Sequence, residues 1–473
     1  MLPSIRPWSR LVPDCPKQNS DPMKSLDDGG LELLAEAIQS LEEGFANLPA
    51  RRGDGGLGDI EAWRRVLTEA AERLHENYPY HHPLYVGQML KPPHPVARTA
   101  YALAMYLNPN NHALDGGRAS SAMEKEAVAQ IAEMFGWETH LGHLTSGGTM
   151  ANFEALWVGR ELDPGKTIVA SAQAHYTHSR LAAVLGVSFR QIAVDARGRM
   201  DPQALEEELR GGDIGTVVAT IGTTAGGVVD PLPRILELQR EHGFRLHVDT
   251  AYGGYFVLAD NLEEEAAAAF ACISAADSIV VDPHKHGLQP YGCGCVLFKD
   301  PGVGRFYKHE SPYTYFSSPD LHLGEISLEC SRAGAAAVAL WTTMRLLPLE
   351  RGGSFARSLE TCREAALFLY EALKRNPTFA PLFSPQLDIV VWAVRARSAS
   401  ASSAMAQQIF DSAAELDLHL ALARFPRQMC EGAAAIEDWD RPDLTCLRAC
   451  VMKPEHAVWM DEILGRLEKS STS

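Results

Sequence analysis

No stretch of this 473-residue chain approaches the roughly 20 consecutive apolar residues that a membrane span requires. The opening MLPSIRPWSRLVPDCPKQNS also lacks the continuous apolar core of a secretory signal, so the expectation is a soluble, cytoplasmic protein with no membrane contact. Basic charge is in short supply: 43 Lys and Arg stand against 60 Asp and Glu, a formal net charge of -17. A surface of that sign repels phosphate backbones and excludes nucleic acid as a partner. The nine cysteines are few for the length and odd in number, and neither Cys293/Cys295 nor Cys446/Cys450 has the C-x-x-C spacing of a zinc site. They read as reduced thiols packed in the core. His140-x-x-His143 has no carboxylate or cysteine at ligand spacing, so no metal is expected. There is no internal repeat, no P-loop and no G-x-G-x-x-G fingerprint.

What is present is an ordinary globular composition, 46% hydrophobic and 22% charged, on a chain long enough for one large domain and smaller ones. Before Asp115 the apolar residues recur every three or four positions over 31–48, 60–74 and 96–107, which predicts helices. From about Ser120 short apolar runs alternate with helical patterns, the pattern of a mostly parallel sheet covered on both faces. The predicted strands are 167–170, 216–221, 245–248, 278–281 and 294–298. Past Leu346 a second set follows: helix 354–373, strand 388–394, helix 404–415, strand 446–451 and helix 454–467, with Pro454 suited to the first turn of the last. The Ser/Ala run 398–403 and the Gly/Asp-rich run 51–59 read as loops. The expected organisation is a helical segment 1–114, a large α/β domain 115–346 and a smaller C-terminal α/β domain 347–473.

In open α/β sheets ligands sit beyond the carboxyl ends of the strands. The residues there are Ala174-His175-Tyr176, Gly222-Thr223-Thr224, Asp249 and Asp282-Pro283-His284-Lys285. Lys285 is either a strand-end lysine snorkelling to solvent or an amine whose pKa is lowered by desolvation for Schiff-base formation. Asp249 either caps a turn with Thr250 or holds a protonated ring nitrogen. His175 either packs in the core or lies on an aromatic ring. The run Thr145-Ser146-Gly147-Gly148-Thr149, just before a predicted helix, offers main-chain N–H groups to an anion, or is no more than a cap and a turn.

Together, Thr145-Ser-Gly-Gly-Thr149, Ala174-His175-Tyr176, Gly222-Thr-Thr224 with Asp230-Pro231, His247-Val-Asp249-Thr-Ala251-Tyr-Gly253-Gly254 and Asp282-Pro-His-Lys285 resemble, in order and spacing, the group II pyridoxal-phosphate-dependent amino-acid decarboxylases. The likeness runs from about Tyr80 to Leu346 with an echo near Arg448. It implies fold type I, aspartate aminotransferase-like, with a large mostly parallel sheet domain and a smaller C-terminal α/β domain. It implies pyridoxal 5′-phosphate as cofactor, carried on Lys285, with His284 at the phosphate beside Gly147, Gly148 and Thr149. Asp249 would pair with the pyridine nitrogen, His175 would stack on one ring face and Ala251 would lie against the other, with Thr223 nearby. The catalytic set it implies is Lys285, His175 and a proton-donating loop tyrosine, Tyr315 rather than Tyr313. Gln88 and Arg448 would meet the substrate, and active sites would form between two copies of the chain in a homodimer.

On substrate the resemblance divides. His82-Pro83 followed by Gln88, and Tyr176 after His175, are similar to glutamate and cysteine-sulfinate decarboxylases, so a small acidic amino acid leads. An aromatic, tyrosine-like substrate follows, because Lys285-His286-Gly287-Leu-Gln-Pro290 is similar to archaeal tyrosine/aspartate decarboxylases. A pyridoxal-phosphate carbon–carbon lyase of the sphingosine-phosphate-lyase kind is third.

Overall fold

The computed structural model describes residues 29–49, 58–113, 116–308 and 326–472. In chain order its strands are β1 (Leu141–Thr145), β2 (Thr167–Ser171), β3 (Phe189–Ile192), β4 (Ile214–Thr220), β5 (Arg245–Asp249), β6 (Ser278–Val281), β7 (Gly294–Phe298), β8 (Phe379–Pro381), β9 (Ile389–Val394), β10 (Ala421–Pro426) and β11 (Asp443–Cys450). The first seven form one sheet in the order β1-β7-β6-β5-β4-β2-β3. From β6 across to β3 every pairing is parallel, while β7 runs antiparallel to both β6 and β1.

Strands buried on both faces need apolar residues at every position, and successive side chains then feed opposite layers. Val217 and Ala219 of β4 enter the core that includes helices Arg118–Met134 and Leu232–His242, while Val218 between them packs with Leu156, Leu181 and Leu185. In β6, Ile279 and Val281 face the first layer and Val280 the second. The second layer contains helix Gly148–Leu162, whose Ala151, Ala155 and Val158 are buried against Val280, Val296 and Phe298. That packing aims the helix N-terminus at the carboxyl ends of the parallel strands.

The second sheet, β10-β11-β9-β8, is antiparallel throughout rather than a further parallel set. Helices Ser354–Arg375, Ala399–Glu415 and His456–Ser470 pack with it in one core that also takes in Leu84 and Val86. Main-chain hydrogen bonds from Val86 N to His419 O (2.9 Å) and from Cys450 N to Val86 O (2.7 Å) stitch this early segment beside the sheet. Gln88 is thereby delivered to the end of β11.

Two expectations about local structure fail. The Ser/Ala run 398–403 is not a loop: the Ser398 hydroxyl accepts from Ala401 N and caps helix Ala399–Glu415, whose small first-turn residues Ala399, Ser402 and Ser403 are buried. Pro454 precedes the final helix, which begins at His456. The other run read as a loop, 51–59, lies for the most part outside the described residues, as does Asp115.

Helices Gly30–Glu43 and Ile60–Leu74 contain no buried residue. On the second, Ile60, Trp63, Leu67 and Leu74 recur at helical spacing and are each more than half exposed. Among the described residues no helix is long and apolar enough to cross a membrane.

Candidate active site

β1 ends at Thr145 and the chain turns through Ser146 and Gly147 into helix Gly148–Leu162. Gly147 has φ 154°, a backbone region open to glycine. A Cβ on Gly148 would sit 2.6 Å from Asp282 Oδ2, so only glycine allows the carboxylate this close to the helix start. No side chain caps this helix, so its first-turn N–H groups, on Gly148, Thr149 and Met150, are left for an anion. A buried ion pair braces the approach: Arg332 Nη1 lies 2.7 Å from Glu124 Oε1 and donates to Leu144 O (2.6 Å), while Glu124 accepts from Leu144 N (2.9 Å).

Beyond β6, Asp282 is buried and Lys285 Nζ lies 3.1 Å from its Oδ2. The amine is therefore not the isolated, desolvated group expected of a lysine at a buried strand end: it rests in an ion pair, with its side chain 21% exposed. His284 donates from Nδ1 to Cys293 O (2.8 Å), and its Cε1 lies 3.4 Å from where a Cβ on Gly147 would stand. His284 is thus placed beside the anion cradle. The next residue turns the other way. His286 is fully buried with Nε2 3.2 Å from Asp388 Oδ2, and Tyr252 donates to Asp388 Oδ1 (2.6 Å). Asp388 immediately precedes β9, so this cluster ties the segment after β6 to the second sheet. Burial alone would raise the Asp388 carboxyl, but His286 and Tyr252 outweigh it and hold the group below its ordinary range.

Asp249 closes β5. Ala251 N donates to its Oδ1 (3.0 Å), His178 Nε2 lies 2.9 Å from its Oδ2, and Asn152 Nδ2 is 3.4 Å from the same oxygen. Burial opposes ionisation here, yet the hydrogen bonds it accepts, that from His178 foremost, outweigh it and hold its pKa below the carboxylate range. Asn152 Oδ1 is held by His247 Nε2 (2.8 Å), whose Nδ1 meets Ser278 Oγ (3.0 Å). Burial pushes His247 down to about 3, so it is a neutral link.

His175 follows β2, with Thr177 N donating to its Nδ1 (3.3 Å). Its pKa is lowered, by burial first, with Asp249, Lys285 and Asp282 all acting on the ring, which sets it electrostatically among these groups. Ala251 lies one turn of chain beyond Asp249 and is half-buried. Thr223 is buried, and its hydroxyl accepts from Val228 N (3.0 Å), so it shapes the loop after β4. Arg448, on β11, is not a surface strand arginine. It is 3% exposed and donates to Ala225 O (3.0 Å), Thr224 O (2.7 Å), Gly87 O (3.3 Å) and Gln88 Oε1 (3.2 Å). The two residues expected to meet substrate therefore touch each other. Tyr313 and Tyr315 lie outside the described residues.

Sequence reasoning missed His178, Asn152 and the Arg332–Glu124 pair, and gave Asp282 no role. Spacing held a signal for the first two: His178 is one helical turn beyond His175, and Asn152 one turn beyond Gly148. Glu124 and Arg332 are joined only by the fold.

The sequence matches the pyridoxal-dependent decarboxylase conserved domain over residues 96–395. It is similar to an L-tyrosine decarboxylase of Enterococcus faecium, 29% identical over 86% of this chain and 89% of that one. It is also similar to an L-aspartate decarboxylase of Thermococcus kodakarensis, 28% identical over 69% of this chain and 83% of that one. The solved structure of mouse CSAD shares the fold with a TM-score of 0.75 at 20% identity, covering 94% of this chain and 99% of that one.

Proposed function

The chain belongs to the pyridoxal-dependent decarboxylase family, and from that premise we propose that it removes the α-carboxylate of a small acidic L-amino acid, such as glutamate, aspartate or cysteine sulfinate, as CO2, leaving the amine. The donor set fits the family's cofactor: a buried ionised carboxylate for a ring nitrogen, a primary amine for an aldehyde, and an uncapped helix start for a phosphate. Asp249 would hold the ring nitrogen, Lys285 the aldehyde carbon, and Gly147, Gly148, Thr149 and His284 the phosphate, with His175 and Ala251 flanking the ring. Bound pyridoxal phosphate supplies a conjugated ring that accepts the electron pair left when the bond from Cα to the carboxylate breaks.

The chain's own groups do the rest. Asp282, 3.1 Å from Lys285 Nζ, holds the amine in place just beyond β6. Asp249 stays ionised in its buried setting and favours positive charge on a ring nitrogen. Arg448 holds the carboxylate. That last assignment rests on a buried guanidinium whose four hydrogen bonds go to three main-chain carbonyls and a glutamine, with no carboxylate pairing among the described residues. Neutral oxygens solvate the charge without cancelling it, so a substrate carboxylate is the partner it lacks.

An aromatic substrate is the second reading, favoured by the length over which the Enterococcus tyrosine decarboxylase matches. The family match supports decarboxylation over carbon–carbon cleavage. CO2 release from glutamate, aspartate and cysteine sulfinate, compared with tyrosine, separates the two substrates. At least a tenfold higher kcat/KM on one of the acidic substrates is expected. Faster turnover of tyrosine overturns the substrate assignment and leaves the reaction standing. Arg448→Gln should cost roughly a hundredfold in kcat/KM on the preferred substrate, the loss typical of truncating one partner of a buried charged pair. Wild-type kinetics in that variant would remove Arg448 from the site.

We also propose that a second copy of the chain covers the apolar stripe of helix Ile60–Leu74, because four large apolar residues on one face are costly to leave in water. Sedimentation should give twice the mass of one chain. A monomer that is fully active would contradict this.

A further inference from the structure

Asp249 is almost fully buried, and two of the three donors that reach it are dipoles. Ala251 N–H and the Asn152 amide are neutral by nature. His178 is the group whose state decides the matter. Its Nε2 lies 2.9 Å from Asp249 Oδ2, and its Nδ1 is buried with no hydrogen-bond partner among the described residues. An imidazolium would leave an N–H at Nδ1 unsatisfied in the core, whereas the neutral tautomer protonated at Nε2 leaves only a lone pair, the cheaper of the two.

We infer that His178 is a positioning residue for the decarboxylase site: as a neutral Nε2–H donor it holds the Asp249 carboxylate ionised and oriented while leaving its negative charge uncompensated, so that the charge is satisfied by a protonated ring nitrogen of the cofactor. The rest of the cluster serves the same end. Ser278 donates to His247 Nδ1, His247 Nε2–H donates to Asn152 Oδ1, and the Asn152 amide is thereby turned with its NH2 toward Asp249. Each hydrogen bond fixes the direction of the next. The chain of donors runs from β6 through β5 to the helix bearing the anion cradle, so the ring-nitrogen site and the phosphate site are held by one framework. A cationic histidine in place of the neutral one would compete with the ring nitrogen for the same carboxylate charge.

The test compares His178→Phe, which keeps a ring and loses the donor, with His178→Gln, whose amide reaches the Nε2 position and restores it. His178→Leu replaces the Phe variant if the larger ring prevents folding. Loss of the donor should lower kcat roughly ten- to a hundredfold, the range for a hydrogen bond to a charged group, with KM within about twofold because His178 is fully buried against Asp249. Retention of pyridoxal phosphate on dialysis should weaken, and nuclear magnetic resonance of isotope-labelled ring nitrogen in the loaded protein should show less protonation. His178→Gln should recover most of each effect. Wild-type kcat and an unchanged ring nitrogen in the Phe or Leu variant would overturn the inference, as would a folded Gln variant as impaired as they are. The inference rests on the cofactor assignment, and the two fail differently: a wild-type protein that takes up no pyridoxal phosphate sinks the assignment, while one that binds it and is indifferent to His178 sinks only the role given to the histidine.

Discussion

Lys285→Ala is expected to abolish decarboxylation, lowering kcat by at least about three orders of magnitude, roughly 4 kcal/mol of barrier, and to leave no cofactor covalently attached. Among the described residues the amine just beyond β6 has no evident substitute. Lys91 Nζ is bound to Met452 O, and Lys453 Nζ to the carbonyls of His82 and Tyr85, so both are tied to main chain. Truncation also strands Asp282, which is buried and already has one oxygen without a partner, so the alanine variant should be less stable as well as inactive. Lys285→Arg separates these effects. Arginine keeps a positive charge near Asp282 but carries no amine that condenses with an aldehyde. It should therefore recover stability and remain inactive. An active arginine variant would mean that the residue matters for its ion pair alone, and measuring kcat alongside the urea midpoint distinguishes the cases.

Asp249→Asn carries the next largest expected effect, about three orders of magnitude in kcat with KM little changed. The substitution preserves shape, and an amide oxygen can still accept from His178 or Ala251, so the fold around β5 should hold. What is lost is the negative charge. In a buried site an ionised carboxylate acts through a low local dielectric, and no solvent reorganisation replaces it. The expected loss exceeds that for His178 because the histidine supports the charge and the aspartate is the charge. Measured kcat and KM, with binding of added pyridoxal phosphate followed by absorbance, check this, and an Asn variant with wild-type kcat would contradict the role assigned to Asp249.

Much of this site was legible because its residues stand at the ends of strands whose apolar runs are unmistakable. Ser-Ile-Val-Val and Gly-Cys-Val-Leu-Phe form β6 and β7 with the bounds their composition predicts, and Asp282 to Lys285 follow directly from the first. Strands held by context were harder to see. β1, Leu-Gly-His-Leu-Thr, breaks its apolar pattern with Gly142 and His143, and pairing with β7 supplies what propensity does not. β3 is an edge strand, half-buried and paired on one side with β2, so its polar Arg190 and Gln191 hide it. Gln88 and Arg448 were singled out by family resemblance, and the structure supplies the reason that periodicity could not: the early segment is stitched beside β11. His178 went unnoticed because a histidine in the first turn of a helix looks like any surface residue until the fold sets Asp249 against it. Asp282 was overlooked for the opposite reason, since its neighbour Lys285 drew the argument and a carboxylate three residues earlier reads as a turn.

The most direct test is to reduce the purified protein, loaded with pyridoxal phosphate, with borohydride and to locate the modified peptide by mass spectrometry. A single pyridoxyl group on Lys285, with loss of the visible absorption band, is the predicted result. An adduct on another lysine, or none after the cofactor is supplied, would contradict the account.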